Sequence, residues 1–295
     1  MRTAFWETVV AEGCRVPEDA ALDELTAELV SMLGDPDPHV RDDLARTTLS
    51  TWTTEGVYDE LLSGLGDGLA LGLRLRLGEN GTDSVLRRSF SAAVLAAVVA
   101  RDNAVGLLHP TTVLTWADRG VAWFLGERDL RGWIPDRGWA QAVTHGADLI
   151  GTLAASRHLG ADELAVLLDV VAERLLIPTQ HRLVDGELDR LAFATMSLLH
   201  RDLVPGDLVE RWADRLADGW SGENRPEPGE RPTAVCQNTI GYVRSLHLQL
   251  LLGVIGTPAQ DAAPRVLVNP AIRPDLLIAL QRAMRGTAPW LFRGG

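Results

Sequence analysis

The amino-acid sequence predicts an all-α fold, a right-handed solenoid of about five helix pairs. Three observations predict it. Apolar residues recur at helical spacing in almost every segment. Proline falls between those segments or at their first positions, never in their interiors. The pairs begin afresh roughly every 40 to 50 residues.

A helix is expected over 18–33, stopped by Gly34. Asp37 caps the next, and Pro38 takes its first position, where a missing N–H is harmless. Val40, Leu44, Ala45, Thr48 and Trp52 then repeat on one face. The turn Asp35-Pro36-Asp37-Pro38-His39-Val40-Arg41 resembles the inter-helix turn of HEAT repeats, so the expected array is HEAT/armadillo-like. Onward, 58–76 pairs with 83–101, 111–126 with 137–155, 161–177 with 188–200, and 205–218 with 233–255, before a terminal helix near 274–284. Alternating patterns are short throughout, so little β-structure is expected beyond an extended piece at 266–268. The stretch 221–232, rich in Gly, Pro and Glu, is expected to be a flexible loop within a single domain over 1–295.

The formal charge is −12, and all 28 basic residues are arginine. Without lysine there is no Schiff base, no P-loop phosphate lysine and no lysine-dependent kinase site. An acidic surface opposes the phosphate contacts that dominate affinity for DNA or RNA, so nucleic acid is an unlikely partner. Cys14, in an expected terminal helix, and Cys236 are far apart in sequence, and no charged segment followed by an apolar run opens the chain. Free thiols and a cytoplasmic location are expected. The most apolar runs, at 90–100 and 246–255, fall well short of the roughly 20 residues needed to span a bilayer, so no membrane association is expected.

Gly64, Gly66 and Gly68 spell a G-x-G-x-G run, yet leucines 61, 62, 65, 69 and 73 keep helical spacing through it. Close helix packing is the reading, not a phosphate loop. On a wheel drawn over 137–155, Trp139, Ala142, Val143, Gly146, Leu149, Ile150 and Leu153 share one face, and small residues fill a second. One polar ridge remains: Gln141, His145, Asp148 and Thr152. His145 and Asp148 stand three apart, close enough to interact, and a carboxylate there is expected to raise the histidine's proton affinity and orient its ring. This is general-base geometry, or equally a polar network joining helices. Asp185, Glu187, Asp189 and Arg190 gather at a helix start, where carboxylates favour the helix dipole. No metal motif is present, and neither a metal nor a cofactor is expected. No G-x-S-x-G elbow supports a serine nucleophile. Trp123, Trp133 and Trp139 cluster near the ridge, although core anchoring is the ordinary role of a tryptophan.

The run Glu127-Arg128-Asp129-Leu130-Arg131-Gly132, followed by Gly138-Trp139-Ala140-Gln141 and His145-Gly146-Ala147-Asp148, resembles the bacterial DUF2785 family. Arg41-Asp42-Asp43-Leu44, Arg88-Ser89-Phe90 and Gly186-Glu187-Leu188-Asp189-Arg190 support the likeness, which extends over about 20–215. The resemblance implies a helical, HEAT-like fold and no established activity. In the family pattern a histidine stands where this chain has Gln141 and an acidic residue where it has Leu188, so a histidine-pair metal site in relatives would be half lost here.

The leading expectation is a binding protein that holds a peptide or small molecule in a concave cleft around Arg131, Trp139, Gln141, Glu187, Asp189 and Arg190. A second reading is an enzyme acting on a small organic substrate, with His145 as general base, Asp148 orienting it and Arg131 or Arg190 holding an anion. A third, a HEAT-like DNA glycosylase, needs an arginine strip and is opposed by the charge. Homo-oligomerisation is compatible with all three.

Overall fold

The computed structural model describes residues 2–225, 227, 229–255, 266–267 and 270–287. It is mostly helical, and the chain divides into two compact units, 1–158 and 159–295. Each unit is described by itself.

The first unit holds α1 (Thr3–Ala11), α2 (Leu22–Met32), a helix of widened π-type turns (His39–Arg46) running directly into α3 (Thr47–Glu55), α4 (Leu62–Gly72), α5 (Ser84–Val105), α6 (Pro110–Gly126) and α7 (Ala142–Ala154). The Asp-Pro turn forms as its composition requires: the Asp35 carboxylate accepts the N–H of Asp37, and that of Asp37 accepts the N–H of His39, both at 2.9 Å. α5 is the central element, a run of Leu, Val and Ala packed against α3, α4 and α7. Gly106, at φ +79°, ends it. The fully buried Asp102 then accepts the N–H groups of Leu107 and Leu108 at 2.8 and 2.6 Å. Within α4 the G-x-G-x-G run is helical, and Gly66 is there for contact: a Cβ would lie 2.2 Å from the Trp116 ring.

Two expectations fail in this unit. The helix expected over 137–155 starts only at Ala142. Before it runs an antiparallel ribbon, β1 (Trp133–Ile134) with β2 (Gly138–Trp139), pairing Trp133 with Trp139 and Ile134 with Gly138. Asp136 (φ +60°), Gly138 (φ +72°) and Gln141 (φ +54°) occupy left-handed backbone that no α-helix contains. Trp139 therefore does not share the apolar face of α7. Cys14, also at positive φ, sits in the turn after α1 and not within a terminal helix.

The second unit holds α8 (Ala161–Leu176), α9 (Glu187–Leu199), α10 (Gly206–Arg215), α11 (Ala234–Leu252) and α12 (Arg273–Thr287). At the start of α8 the Glu163 carboxylate reaches back to the Gly160 N–H at 2.8 Å, and the Thr233 hydroxyl caps α11 at the Cys236 N–H. α9 and α11 pack together, with Thr195 and Tyr242 hydroxyls 2.7 Å apart between them. Gly253, at φ +73°, stops α11 short of the expected 255. A second ribbon follows, β3 (Val254–Ile255) with β4 (Val266–Leu267); β-structure is as slight as expected and β4 falls on the anticipated extended piece, while β1, β2 and β3 were not anticipated. Val268 of the anticipated extended piece lies outside the described residues. The stretch 221–232 contains a short 3-10 turn, Gly222–Asn224, and its Pro226 and Pro228 also lie outside. Among the described residues, no helix is long and apolar enough to cross a membrane.

Candidate functional site

The ribbon β1–β2 is short, and a two-stranded ribbon of this size does not stand by itself in water. Buried polar side chains from three other elements hold it. Arg41, fully buried, donates from Nη1 to the Asp35 carbonyl at 2.6 Å. Its Nη2 donates to the carbonyls of Arg137 (2.6 Å) and Trp139 (3.3 Å). Its guanidinium lies 4.9 Å from the Phe90 ring centroid. Burial lowers the proton affinity of this arginine, and the neighbouring charges of Asp42, Asp35, Asp37 and Asp83 oppose that effect. Gly138 makes the approach possible: a Cβ there would lie 3.1 Å from Pro38.

Ser89 on α5 completes the brace. Its hydroxyl donates to the carbonyl of Ala140 at the ribbon's exit. His145 Nδ1 lies 2.8 Å from that hydroxyl and 3.2 Å from the Ser89 carbonyl. A carbonyl only accepts, so Nδ1 carries the proton. The imidazole is 8% exposed and stands edge-on to Phe90, ring centroids 5.0 Å apart. Burial pushes its pKa down to about 4, outweighing the upward pull of the Asp148 charge. The expected sign is thereby reversed, because removing an imidazolium from water costs more than one half-buried carboxylate returns.

The Glu127–Arg131 motif is a second anchor. Arg88 and Glu127, both essentially unexposed, pair through two bonds of 2.6 and 2.8 Å. Arg88 Nη1 also donates to the carbonyls of Leu75 and Arg76. Glu127 accepts the Trp123 indole and the N–H groups of Arg128 and Asp129. Asp129, also buried, accepts Arg131 at 2.8 and 2.6 Å and the Gly81 N–H at 2.9 Å. Arg131, expected to hold an anion, is thus already paired with Asp129 and with the Thr82 carbonyl, and that pairing raises its pKa.

What these braces present is a pair of indoles. Trp133 is 55% exposed and Trp139 37%, meeting edge-to-face with centroids 5.0 Å apart. Gln141 ends the ribbon in left-handed backbone just before α7. Asp83, exposed, binds Arg137 Nε at 3.0 Å.

The remaining candidates, Glu187, Asp189 and Arg190, belong to the second unit. Glu187 opens α9 almost fully buried; its Oε2 accepts the Asp185 N–H at 2.7 Å, and its Oε1 has no hydrogen-bond partner. Burial raises its pKa. Asp189 accepts the Ser245 hydroxyl, and its carbonyl accepts Gln249 Nε2. Two surface concavities, of about 380 Å³ beside Phe5, Val9 and Val16 and about 300 Å³ beside Leu199, Val209 and Ile272, include none of the candidate residues. Among the described residues no three His, Cys, Asp or Glu side chains converge as metal ligands.

Sequence reasoning named Arg41, Arg88, Ser89, Glu127 and Asp129 only as points of family likeness and gave them no role. The available signal was placement. Arg88 stands two residues before the apolar run at 90–100, where a solvated arginine is out of keeping with its neighbours.

Fold and site together define a helical protein whose buried arginine network carries an exposed tryptophan ribbon. The chain belongs to the family described as "Protein of unknown function (DUF2785)", whose family model matches residues 73–248. The match takes in the ribbon, α7, α8, α9 and most of α11, and starts later and ends later than the likeness read from the motifs. No match was found among curated proteins or among solved structures.

Proposed function

We propose that this protein is a binding protein whose recognition element is the Trp133–Trp139 ribbon, and that its ligand is a peptide or a small molecule. The observation that carries the reading is the contrast between the ribbon's surface and its base. Two large apolar side chains face water, while Arg41 and Ser89 are buried and bonded to the ribbon backbone and its exit, with the buried His145 behind Ser89. Exposed indoles on a pre-formed support lose little conformational entropy on binding, the arrangement that makes tryptophan dominant in recognition surfaces. The HEAT-like character proposed for the array rests on the Asp35 to Pro38 turn between paired helices.

The enzymatic reading has less support. A general base needs contact with substrate and a proton affinity near the working pH. His145 meets neither need, with its ring buried and its pKa near 4.

Selection from a displayed random-peptide library tests the proposal. Enriched peptides are expected on the wild type and lost on Trp133→Ser and Trp139→Ser; the melting temperature should stay within a few degrees of wild type for Trp133→Ser, whose indole is more than half exposed, and fall somewhat further for Trp139→Ser, whose indole is more covered. Equal enrichment on wild type and both variants would place recognition elsewhere on the chain.

A further inference from the structure

The four glycines of α4 divide into two kinds. Gly66 and Gly72 lie against Trp116 and Ser91, where a Cβ would come within 2.2 and 2.4 Å, so intramolecular packing accounts for them. Gly64 and Gly68 are exposed, and a Cβ at either would meet nothing within 4 Å. Each glycine in a helix interior costs about 1 kcal/mol relative to alanine, and here nothing inside the chain offsets it. They share a face with Leu71, at i, i+4 and i+7, and leucines continue the apolar strip in the flanking turns. Leu61, Leu71 and Leu75 are 52%, 60% and 52% exposed. The strip is flat at its centre and greasy at its ends, the shape that lets two helix backbones approach closely.

Charge indicates the occupant. Glu60 is exposed at the N-terminal end of the strip, and Arg74 and Arg76 are exposed at its C-terminal end. Asp59 and Asp67, which also border it, are engaged by Arg101 and by Trp116 with Arg119. Arg76 is paired with Glu79 at 3.9 Å, which leaves Glu60 and Arg74 as the free charges, opposite at the two ends, and makes the face complementary to itself turned end for end. A two-fold axis through Gly68 sets Leu61 against Leu75 of a second copy and Glu60 beside that copy's Arg74, with the two helix dipoles opposed. Charges of a single sign would satisfy only one end.

We infer that the exposed face of α4 docks a second copy of this chain in an antiparallel, two-fold arrangement centred on Gly68. This contact is separate from the tryptophan ribbon and stands or falls independently of the proposal made for it.

Sedimentation of the full chain across a micromolar concentration series should show a reversible monomer–dimer equilibrium. Gly68→Ala should raise the melting temperature of the monomer, since space and helix propensity both favour the methyl, yet weaken the dimer by about tenfold. That opposition of sign separates a contact face from a merely tolerated glycine. Glu60→Arg should also weaken the dimer, and combining it with Arg74→Glu in one chain should restore it. A chain that stays monomeric throughout, or a dimer indifferent to Gly68→Ala and to Leu71→Glu, would overturn the inference.

Discussion

His145 carries the most chemistry of any single side chain here, and its behaviour follows from where its two neighbours stand. Nδ1–H is given to Ser89, and the ring is enclosed, so the neutral form is strongly preferred in the folded state. The unfolded chain binds a proton near pH 6.5 and the folded one near 4, so between those values the unfolded state holds more protons. Stability is therefore intact above about pH 6.5 and falls as pH drops through that window, by on the order of 3 kcal/mol at its lower end. His145→Asn keeps a donor near the Nδ1 position and removes the titration. Urea unfolding over this pH range should show a shallower acid slope for the variant, and an unchanged slope would remove His145 as the cause. The sequence marked His145 and Asp148 as a pair because three-residue spacing on a helix is local. It did not reveal Ser89, 56 residues earlier on another helix, nor the enclosure of the ring, and it was the hidden burial that misled the expected sign of the pKa shift. Glu187 illustrates the same limit: its position at a helix start was legible, but the burial that raises its pKa was not.

At the scale of elements, most helices were legible and the ribbon was not. An amphipathic period repeats over ten or more residues, so α5, α6, α8 and α11 declare themselves. Two strands of two residues have no period to detect. The clues were Pro135 and Gly138 in a stretch otherwise apolar enough to pass for a helix, and a wheel begun at 137, just after the proline and through the glycine, put Trp139 on the wrong face. The ribbon's dependence on its supports is testable. Gly138→Ala forces a Cβ into left-handed backbone and against Pro38, and should destabilise the first unit by about 1 to 3 kcal/mol. Arg41→Met leaves three carbonyls without their donor and should cost more, about 3 to 5 kcal/mol. In both variants the near-ultraviolet circular dichroism of the paired indoles should diminish. Retention of the wild-type signal by Arg41→Met would mean that the ribbon holds itself.

For the whole molecule, composition fixes more than shape. An arginine-only, acidic chain loses several classes of chemistry regardless of how it folds, and that conclusion needed no coordinates. The division at residue 158 was invisible, because it depends on which helices touch and not on any local composition. It gives the two cysteines a use. Cys14 is buried in the first unit and Cys236 in the second, so each thiol is hidden from solvent by a different body. A membrane-permeant or soluble alkylating reagent reaches either one only when its own surroundings open. The mass of each alkylated peptide, followed against time, then becomes a pair of clocks running within one molecule. Acid slows the alkylation of both thiols alike, so the reading is their ratio: the Cys14 rate relative to that of Cys236 should rise as pH falls from 6.5 towards 4, and rise less in His145→Asn.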